Sequence, residues 1–300
     1  MLLLTIILVC LVNLMDSIQH QKVKELVVKA GQNALRLKAE GLNIEYKDDG
    51  TPVTNADLAN HEMICTEIRV IFPGMTIISE EDEDLDPSGK YTDACVTCPI
   101  DGTQDLIDGT ADFAVLVGFV ENGVPVHGFA YYPDTRRGVL YFTGQRDNKA
   151  YKQSVTIVED KPVFGPPIEL KTKVAPNNRS LRIYQFIVDA RNHISSVCNV
   201  VNDYPSPTSV IAVLEGHLDL ATGPNTMGDW DMIPIDAIAR RAGAIFASLD
   251  DKNPFKYGQP PPPGHKPYKK GPYVLGNLLT LKEFGLLQES FKFPPTHQAR

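Results

Sequence analysis

The chain has 300 residues, 43% of them hydrophobic and 22% charged, and its 29 basic and 37 acidic side chains give a formal net charge of -8. That is apolar material for a large core in one big domain or two halves, and an acidic balance without a long basic run excludes a binder of nucleic-acid polymers. Five unevenly spaced cysteines exclude a disulfide framework in a chain this long and point to a reducing, cytoplasmic setting.

Residues 1–14, MLLLTIILVCLVNL, are almost uninterruptedly apolar. The run is shorter than the ~20 residues that span a bilayer, and it lacks the basic start and small-residue cleavage site of a secretory signal. Two readings stand: a membrane-anchoring or secretory leader, or sequence ahead of a functional start at Met15. Either way it is set apart from the fold.

From Asp16 onward, Ile18, Val23, Leu26, Val27, Ala30, Ala34 and Leu37 recur at three- and four-residue spacing and predict an amphipathic helix. Residues 48–53, DDGTPV, predict a turn, and Thr54-Asn55-Ala56-Asp57 fits the capping box of a second helix ending near Phe72 and Pro73. Residues 75–78 read as a short buried strand that delivers Ser79, Glu80, Glu81, Asp82 and Glu83 at its end. Residues 94–100 read as another strand, running into the acidic turn Asp101-Gly102-Thr103 and a short helix. A β-meander follows over 113–120, 126–132 and 139–143, whose short turns demand antiparallel neighbours and exclude a Rossmann fold.

Residues 152–172 carry Pro162, Pro166 and Pro167 among polar neighbours and read as a junction between an N-terminal α+β half, 15–155, and a C-terminal α/β half, 156–300. Beyond it, 181–188 and 218–221 predict strands, 207–215 and 235–242 predict helices, and the tract QPPPPGHKP at 259–267 predicts an extended surface loop.

Acidic residues stand at the ends of these elements: Asp57 at a helix start, Glu80 with Glu81 after a strand, Asp101 in the P-I-D-G-T turn, and Asp231 in G-D-W-D before a helix. Each alone has an ordinary reading as a cap, a solvated acidic loop or a charge favoured by the helix dipole. Together they offer what a hard divalent cation such as Mg²⁺ wants, several oxygen ligands brought from separate elements. Gly102 lets bare backbone N–H groups approach a phosphate at the start of the next helix, and the Thr103 hydroxyl can bond a water held by the metal. The pattern points to phosphate hydrolysis.

The stretches TPVTNAD (51–57), ISEED (78–82), PIDGT (99–103) and GDWD (228–231), in this order, resemble the inositol monophosphatase superfamily of metal-dependent phosphatases. The likeness begins near Met15 and extends through the closing AGAIFASLDDKNPFKYG at 242–258. It implies an α/β (α+β) fold, a layered αβαβα sandwich of the sugar-phosphatase type with largely antiparallel and mixed sheets. The implied activity is hydrolysis of a small phosphorylated metabolite, inositol monophosphate or a 3'(2'),5'-bisphosphate nucleotide. Carried over residue by residue, Glu80, Asp101 and Asp231 match metal ligands, as does the backbone carbonyl of Ile100. Asp57 and Thr103 match the pair that orients and activates the attacking water, and Glu80 counts as catalytic as well as metal-holding. Two or more Mg²⁺ ions are implied, with Mn²⁺ as the alternative.

The resemblance further implies Gly102, Thr103, Asp231 and Arg191 as substrate contacts. Arg191, in Asp189-Ala190-Arg191-Asn192-His193, is similar to an R-x-H element of the bisphosphate nucleotidase branch, where it would grip a second phosphate; a surface ion pair is its ordinary alternative. Residues 204–220 lack the glycine-serine and lysine pattern expected in that branch. A small phosphorylated substrate is the implied partner, a membrane is one only if residues 1–14 act as an anchor, and a homodimer completes the partner classes.

At one position the chain departs from the family. The usual motif opens D-P-(I or L)-D-G-T and its first aspartate serves the metals, whereas Cys98 stands there in this chain. A thiol is a soft ligand and Mg²⁺ prefers hard oxygens. The substitution opens a second reading, a phosphate binder without turnover. Cys95-Val96-Thr97-Cys98 is also a C-x-x-C, but along a strand residues three apart face opposite ways, which argues against a redox pair.

Overall fold

Asp16 opens the first helix with a reciprocal cap, its Oδ1 accepting from the Gln19 N–H at 2.7 Å while the Gln19 side chain accepts from the Asp16 N–H at 3.0 Å. The computed structural model describes residues 15–110, 112–133, 138–175, 181–185, 198–200, 206–223, 227–261 and 267–292. The apolar leader, Arg191 with His193, and the middle of the proline tract lie outside the described residues. No helix among those described is long and apolar enough to cross a membrane.

Helix α1 (Ser17–Glu40) buries Val23, Leu26, Val27, Ala30 and Ala34, as their spacing predicts. Ile18 does not join them and is 67% exposed: five residues before Val23, it sits about 140° around the helix from that stripe. Residues 44–54, expected to hold only a turn, form a small hairpin of β1 (Ile44–Tyr46) and β2 (Pro52–Thr54). Ile44 and Tyr46 do alternate with Glu45, but each strand is only three residues long, too short a run for the pattern to announce it, and all three β1 residues are exposed. Helix α2 (Asn55–Ile71) starts at the expected cap and stops before Pro73.

The larger sheet runs in the order β10 (Ile168–Leu170), β8 (Ala150–Val158), β7 (Gly138–Thr143), β6 (Val124–Tyr132), β5 (Ala114–Glu121), β4 (Ala94–Asp101) and β3 (Ile77–Ser79), with β9 (Lys161–Phe164) also on β8. Among the described residues of this sheet only the β3–β4 pair is parallel; the rest is the expected meander, extended. The extension corrects the junction read into 152–172, because β8 passes straight through residues 155 and 156 and β9 and β10 follow it. Edge strands accept prolines and polar outer faces, and Pro162 lies in β9, which among the described residues pairs with β8 alone. The smaller sheet has the order β12 (Cys198–Val200), β11 (Leu181–Gln185), β13 (Leu220–Gly223), β15 (Tyr273–Asn277) and β14 (Ala244–Ser248), parallel across the first three and antiparallel across the last three.

Side chains of α1 and α2 pack on one face of the large sheet, where Val23, Leu26, Ile64 and Ile68 meet Val115, Val117 and Phe129. On its other face lie α4 (Ser206–Leu214) and α5 (Asp229–Ala242), sharing a core with both sheets through Ile233 and Ile238, Val96 and Leu116, and Phe246 and Leu275. Leu281 of α6 (Leu278–Glu283) closes the outer face of the small sheet with Ile245 and Val274. These five layers are the αβαβα sandwich that the resemblance implies.

Helix α5 begins at Asp229, six residues before the expected start, because Pro234 reads as a breaker yet lies inside it. Its seat is specific. Gly118 and Gly128 face each other across β5 and β6, and a Cβ on Gly128 would come within 1.9 Å of the Pro234 carbonyl oxygen, one on Gly118 within 2.8 Å of the Pro234 nitrogen. The helix backbone therefore rests on bare sheet.

A polar cluster is sealed between α1 and this sheet. His20 Nε2 lies 2.8 Å from the Thr143 carbonyl and His127 Nδ1 3.1 Å from Thr143 Oγ1, with Arg241 bonded to the Gly144 and Val126 carbonyls. Burial, then the charges of Arg241 and His20, lowers the His127 imidazole to about 3. The unfolded chain therefore binds the extra proton first, so this stability is complete above pH 6.5 and is lost as pH falls toward 3. By pH 5 the loss from His127 alone is on the order of 2 kcal/mol. Urea unfolding of wild type and His127→Gln at pH 7.5 and pH 5 checks it: the variant is expected to show the shallower acid loss.

Candidate metal centre and active site

Strand β3 pairs with β4 so that Ser79 lies opposite Thr97, and one step on, the Glu80 N–H donates to the Thr97 carbonyl at 3.1 Å. This continuation of the ladder sets Glu80 beside Cys98, whose Sγ donates to Glu80 Oε2 at 2.9 Å. Between Cys98 and Asp101 the register of β4 against β5 shifts, a bulge that turns the strand. Gly102, at φ +90°, then takes the left-handed backbone from which α3 (Thr103–Asp108) starts. Wholly buried Asn60 ties down the bend, its Nδ2 donating to the Pro99 carbonyl at 3.3 Å.

Thr103 donates its hydroxyl to Asp57 Oδ1 at 2.9 Å, and the Ile100 carbonyl lies 3.3 Å from the same hydroxyl. The other Asp57 oxygen accepts from the Thr54 N–H at 2.8 Å and from Thr54 Oγ1 at 2.6 Å. Asp57 is thus the reciprocal cap of α2 and Thr103's acceptor at once. Asp231 repeats the scheme: expected before a helix, it is instead the third residue of α5, with Oδ2 accepting from the Gly228 N–H at 2.7 Å. Next to it, buried Asp229 accepts from the Tyr91 hydroxyl at 2.5 Å and pairs with Lys270 at 2.8 Å, which fixes the helix start.

Glu80, Cys98 and Asp231 each bring one donor atom within 4.8 Å of the others. The structure therefore gathers Asp57, Glu80, Cys98, Ile100, Asp101, Gly102 and Thr103 around the end of β4 and adds Asp231 from α5. Sequence reasoning missed Lys47, which leaves the exposed hairpin to pair with Glu81 at 2.8 Å and Glu80 at 3.4 Å. A lysine four residues ahead of the TPVTNAD stretch was the available signal, and it carries no marking of its own.

The centre is electrostatically crowded. Burial, then the charges of Asp231 and Glu80, holds Asp101 well above the usual carboxylate range; burial and Glu80 likewise raise Asp231. Burial, followed by Glu80, lifts Glu81 to about 7 despite Lys47. Asp57 is raised by burial against its hydrogen bonds from Thr54 and Thr103. The Cys98 thiol is pushed far up by burial and then by Glu80, Asp231 and Asp101. Acids that repel one another in this way are what a divalent cation relieves. The carboxylates fit a hard ion such as Mg²⁺, and the sulfur of Cys98 does not.

Cys95 and Cys98 settle the redox reading. Cys95 packs in the core under α1 and α2, Cys98 in the core under α5. Three residues along a strand span about 10 Å, beyond the roughly 7 Å limit for bridging two Cα atoms.

Comparisons with known proteins bear on the family and the fold. The family model described as the inositol monophosphatase family matches residues 16–283. A 3'(2'),5'-bisphosphate nucleotidase CysQ of Buchnera aphidicola is 29% identical over 245 residues, covering 77% of this chain and 87% of the relative. The protein of the same name from Salmonella typhimurium is 26% identical over 231 residues, covering 75% and 88%. Among solved structures, CysQ from Bacteroides thetaiotaomicron, described as a bacterial member of the inositol monophosphatase family, superposes with a TM-score of 0.67 at 20% identity, over 87% of this chain and 98% of that one. The chain belongs to the inositol monophosphatase family and is a hydrolase of the phosphatase class.

Proposed function

We propose that the chain is a divalent-metal-dependent phosphomonoesterase whose substrate is a small anionic metabolite of the 3'(2'),5'-bisphosphate nucleotide class, with inositol monophosphate as the competing substrate. One observation carries the reading: the Thr103 hydroxyl is bonded to buried Asp57 at the end of β4, where Asp101 meets Glu80 and Asp231 brought from two further elements. The relatives' names support the substrate class.

In this reading Thr103, polarised by Asp57, takes a hydrogen bond from the attacking water and aims its lone pair. Glu80, Asp101, Asp231 and the Ile100 carbonyl would hold the cations, and the backbone N–H groups after Gly102 would receive phosphoryl oxygens. The chemistry such ions supply when bound would be a more acidic water and positive charge for the phosphoryl group and the leaving oxygen. Phosphoryl transfer needs placement and charge more than a protein nucleophile.

The test is phosphate release from 3'-phosphoadenosine 5'-phosphate and from inositol 1-phosphate with Mg²⁺, Mn²⁺ or Zn²⁺. EDTA and Asp101→Asn are each expected to reduce release to background. An ion at 100 times its dissociation constant is expected to add about 2.7 kcal/mol to the chain's stability. Release that survives EDTA sinks the metal-dependent reading. Metal binding with no release from either compound favours the second reading, a binder of phosphate ligands, which draws on Cys98.

A further inference from the structure

We propose that the centre formed by Glu80, Cys98 and Asp231 holds a borderline-soft divalent ion of the Zn²⁺ kind in preference to Mg²⁺, so that the metal preference of this chain differs from that implied for a site built of oxygens alone. The inference rests on the phosphatase reading for the identity of the cleft, and on the structure for its ligands.

Three facts carry it. The sulfur is not at the rim: Cys98 is wholly buried, lies 2.9 Å from Glu80 Oε2, and shares one donor group with Asp231. A cysteine side chain has one rotatable bond to its sulfur, and β4 is locked on both sides by β3 and β5, so an ion between Glu80 and Asp231 meets Sγ. Second, the ion most readily served by such a set is not Mg²⁺, which demands near-octahedral oxygen ligands. Zn²⁺ takes mixed sulfur and oxygen ligands, and three protein ligands with one open position is the pattern of its catalytic sites.

Third, charge is conserved only through the metal. The aspartate expected at this position would bring a carboxylate oxygen and, beside a bound cation, its negative charge. Cys98 supplies the same charge once its S–H proton has left to solvent and a metal–sulfur bond has formed, an exchange that thiophilic ions drive and Mg²⁺ does not. The neighbouring Cys95 offers no competing chemistry, because it lies on the opposite face of β4.

The experiment uses the full chain, stripped of metal and titrated separately with Zn²⁺, Mg²⁺ and Co²⁺, as wild type, Cys98→Ser and Cys98→Asp. Co²⁺ stands in for Zn²⁺ as a spectroscopic probe. Wild type is expected to give a near-ultraviolet thiolate-to-cobalt charge-transfer band that both variants lack, with the other four cysteines retained as internal controls. Zn²⁺ affinity in Cys98→Ser is expected to fall by roughly 100-fold or more, since even loss of an outer-shell partner costs up to that much. Cys98→Asp is expected to bind Mg²⁺ more tightly than wild type does.

No band in wild type, or Zn²⁺ affinities of wild type and Cys98→Ser within about threefold, overturns the proposal. Should Cys98→Asp fail to fold, Cys98→Ser, which keeps the size of the side chain, decides alone. Phosphate release read in the same samples separates the two ideas. The band without release from any substrate, ion or variant supports the metal assignment and removes the phosphatase reading. Release with Mg²⁺ in wild type and no band does the reverse.

Discussion

Replacing Asp57 by Asn is expected to lower kcat for phosphate release by roughly 10²- to 10⁴-fold, the usual worth of a positioned proton-handling group, with little change in KM and almost none in stability. The reason is the division of labour between its two oxygens. The Thr54 N–H can only donate, so the amide oxygen of an asparagine stays on the cap and the amide nitrogen turns to Thr103. The hydrogen bond to Thr103 is then reversed: the threonine accepts from the amide, and its own hydrogen takes the place of the lone pair it would offer the water. Because the cap survives, the fold loses no more than about 1 kcal/mol. Thr103→Val removes the same link from the other side, so the double variant should be no slower than the worse single one. Steady-state kinetics on the preferred substrate measure all three. A kcat for Asp57→Asn within threefold of wild type would remove the pair from the mechanism.

Gly128→Ala is expected to have the largest effect on the fold although it adds a single methyl group. Its Cβ has nowhere to go, since the nearest neighbour is the Pro234 carbonyl, backbone rather than a side chain that can swing aside. Overpacking costs typically 1–3 kcal/mol, and here the upper end applies, with a fall in Tm of about 2–4 °C for each kcal/mol. The displaced element is α5, so Asp231 should move off Glu80 and Cys98, and metal affinity should weaken in the same variant. Calorimetry with and without the preferred ion reads both effects. A stability change inside ±0.5 kcal/mol, the range of ordinary surface substitutions, would mean that the helix is not seated on this glycine pair.

How much of this was legible in the sequence follows from where each signal is written. The cap at Thr54 and Asp57, the strand running into Asp101-Gly102-Thr103 and the meander are local patterns, and they appear where the residues put them. The meeting of Glu80 with Cys98 depends on a parallel pairing between β3 and β4, and no short-range pattern encodes it; the family resemblance stood in for that contact. Of the strands at 150–170, β9 and β10 were hidden because edge strands tolerate the prolines and polar residues that mark junctions, and the junction read there took in the end of β8 with them. The early start of α5 was hidden because Pro234 breaks a helix in isolation, and two glycines more than a hundred residues upstream make it acceptable. Lys47 was illegible for a different reason: a hairpin of three-residue strands is too short for its alternation to be read, and the charge it carries matters only beside Glu80 and Glu81.

The place of α5 between the two sheets has a kinetic consequence. One helix carries Asp231 at its first turn, rests on the large sheet through Gly118 and Gly128, and buries Ile233 and Ile238 in the core shared with the small sheet. Any opening that releases Asp231 from the centre therefore strips apolar surface from both sheets together. In hydrogen exchange, the amides of α5 beyond its first turn should exchange only through global unfolding, at the full stability of the protein, while those of the β1–β2 hairpin that carries Lys47 escape through low-energy local fluctuations. The centre then joins one wall that is expected to yield only when the protein unfolds to another expected to exchange by local opening.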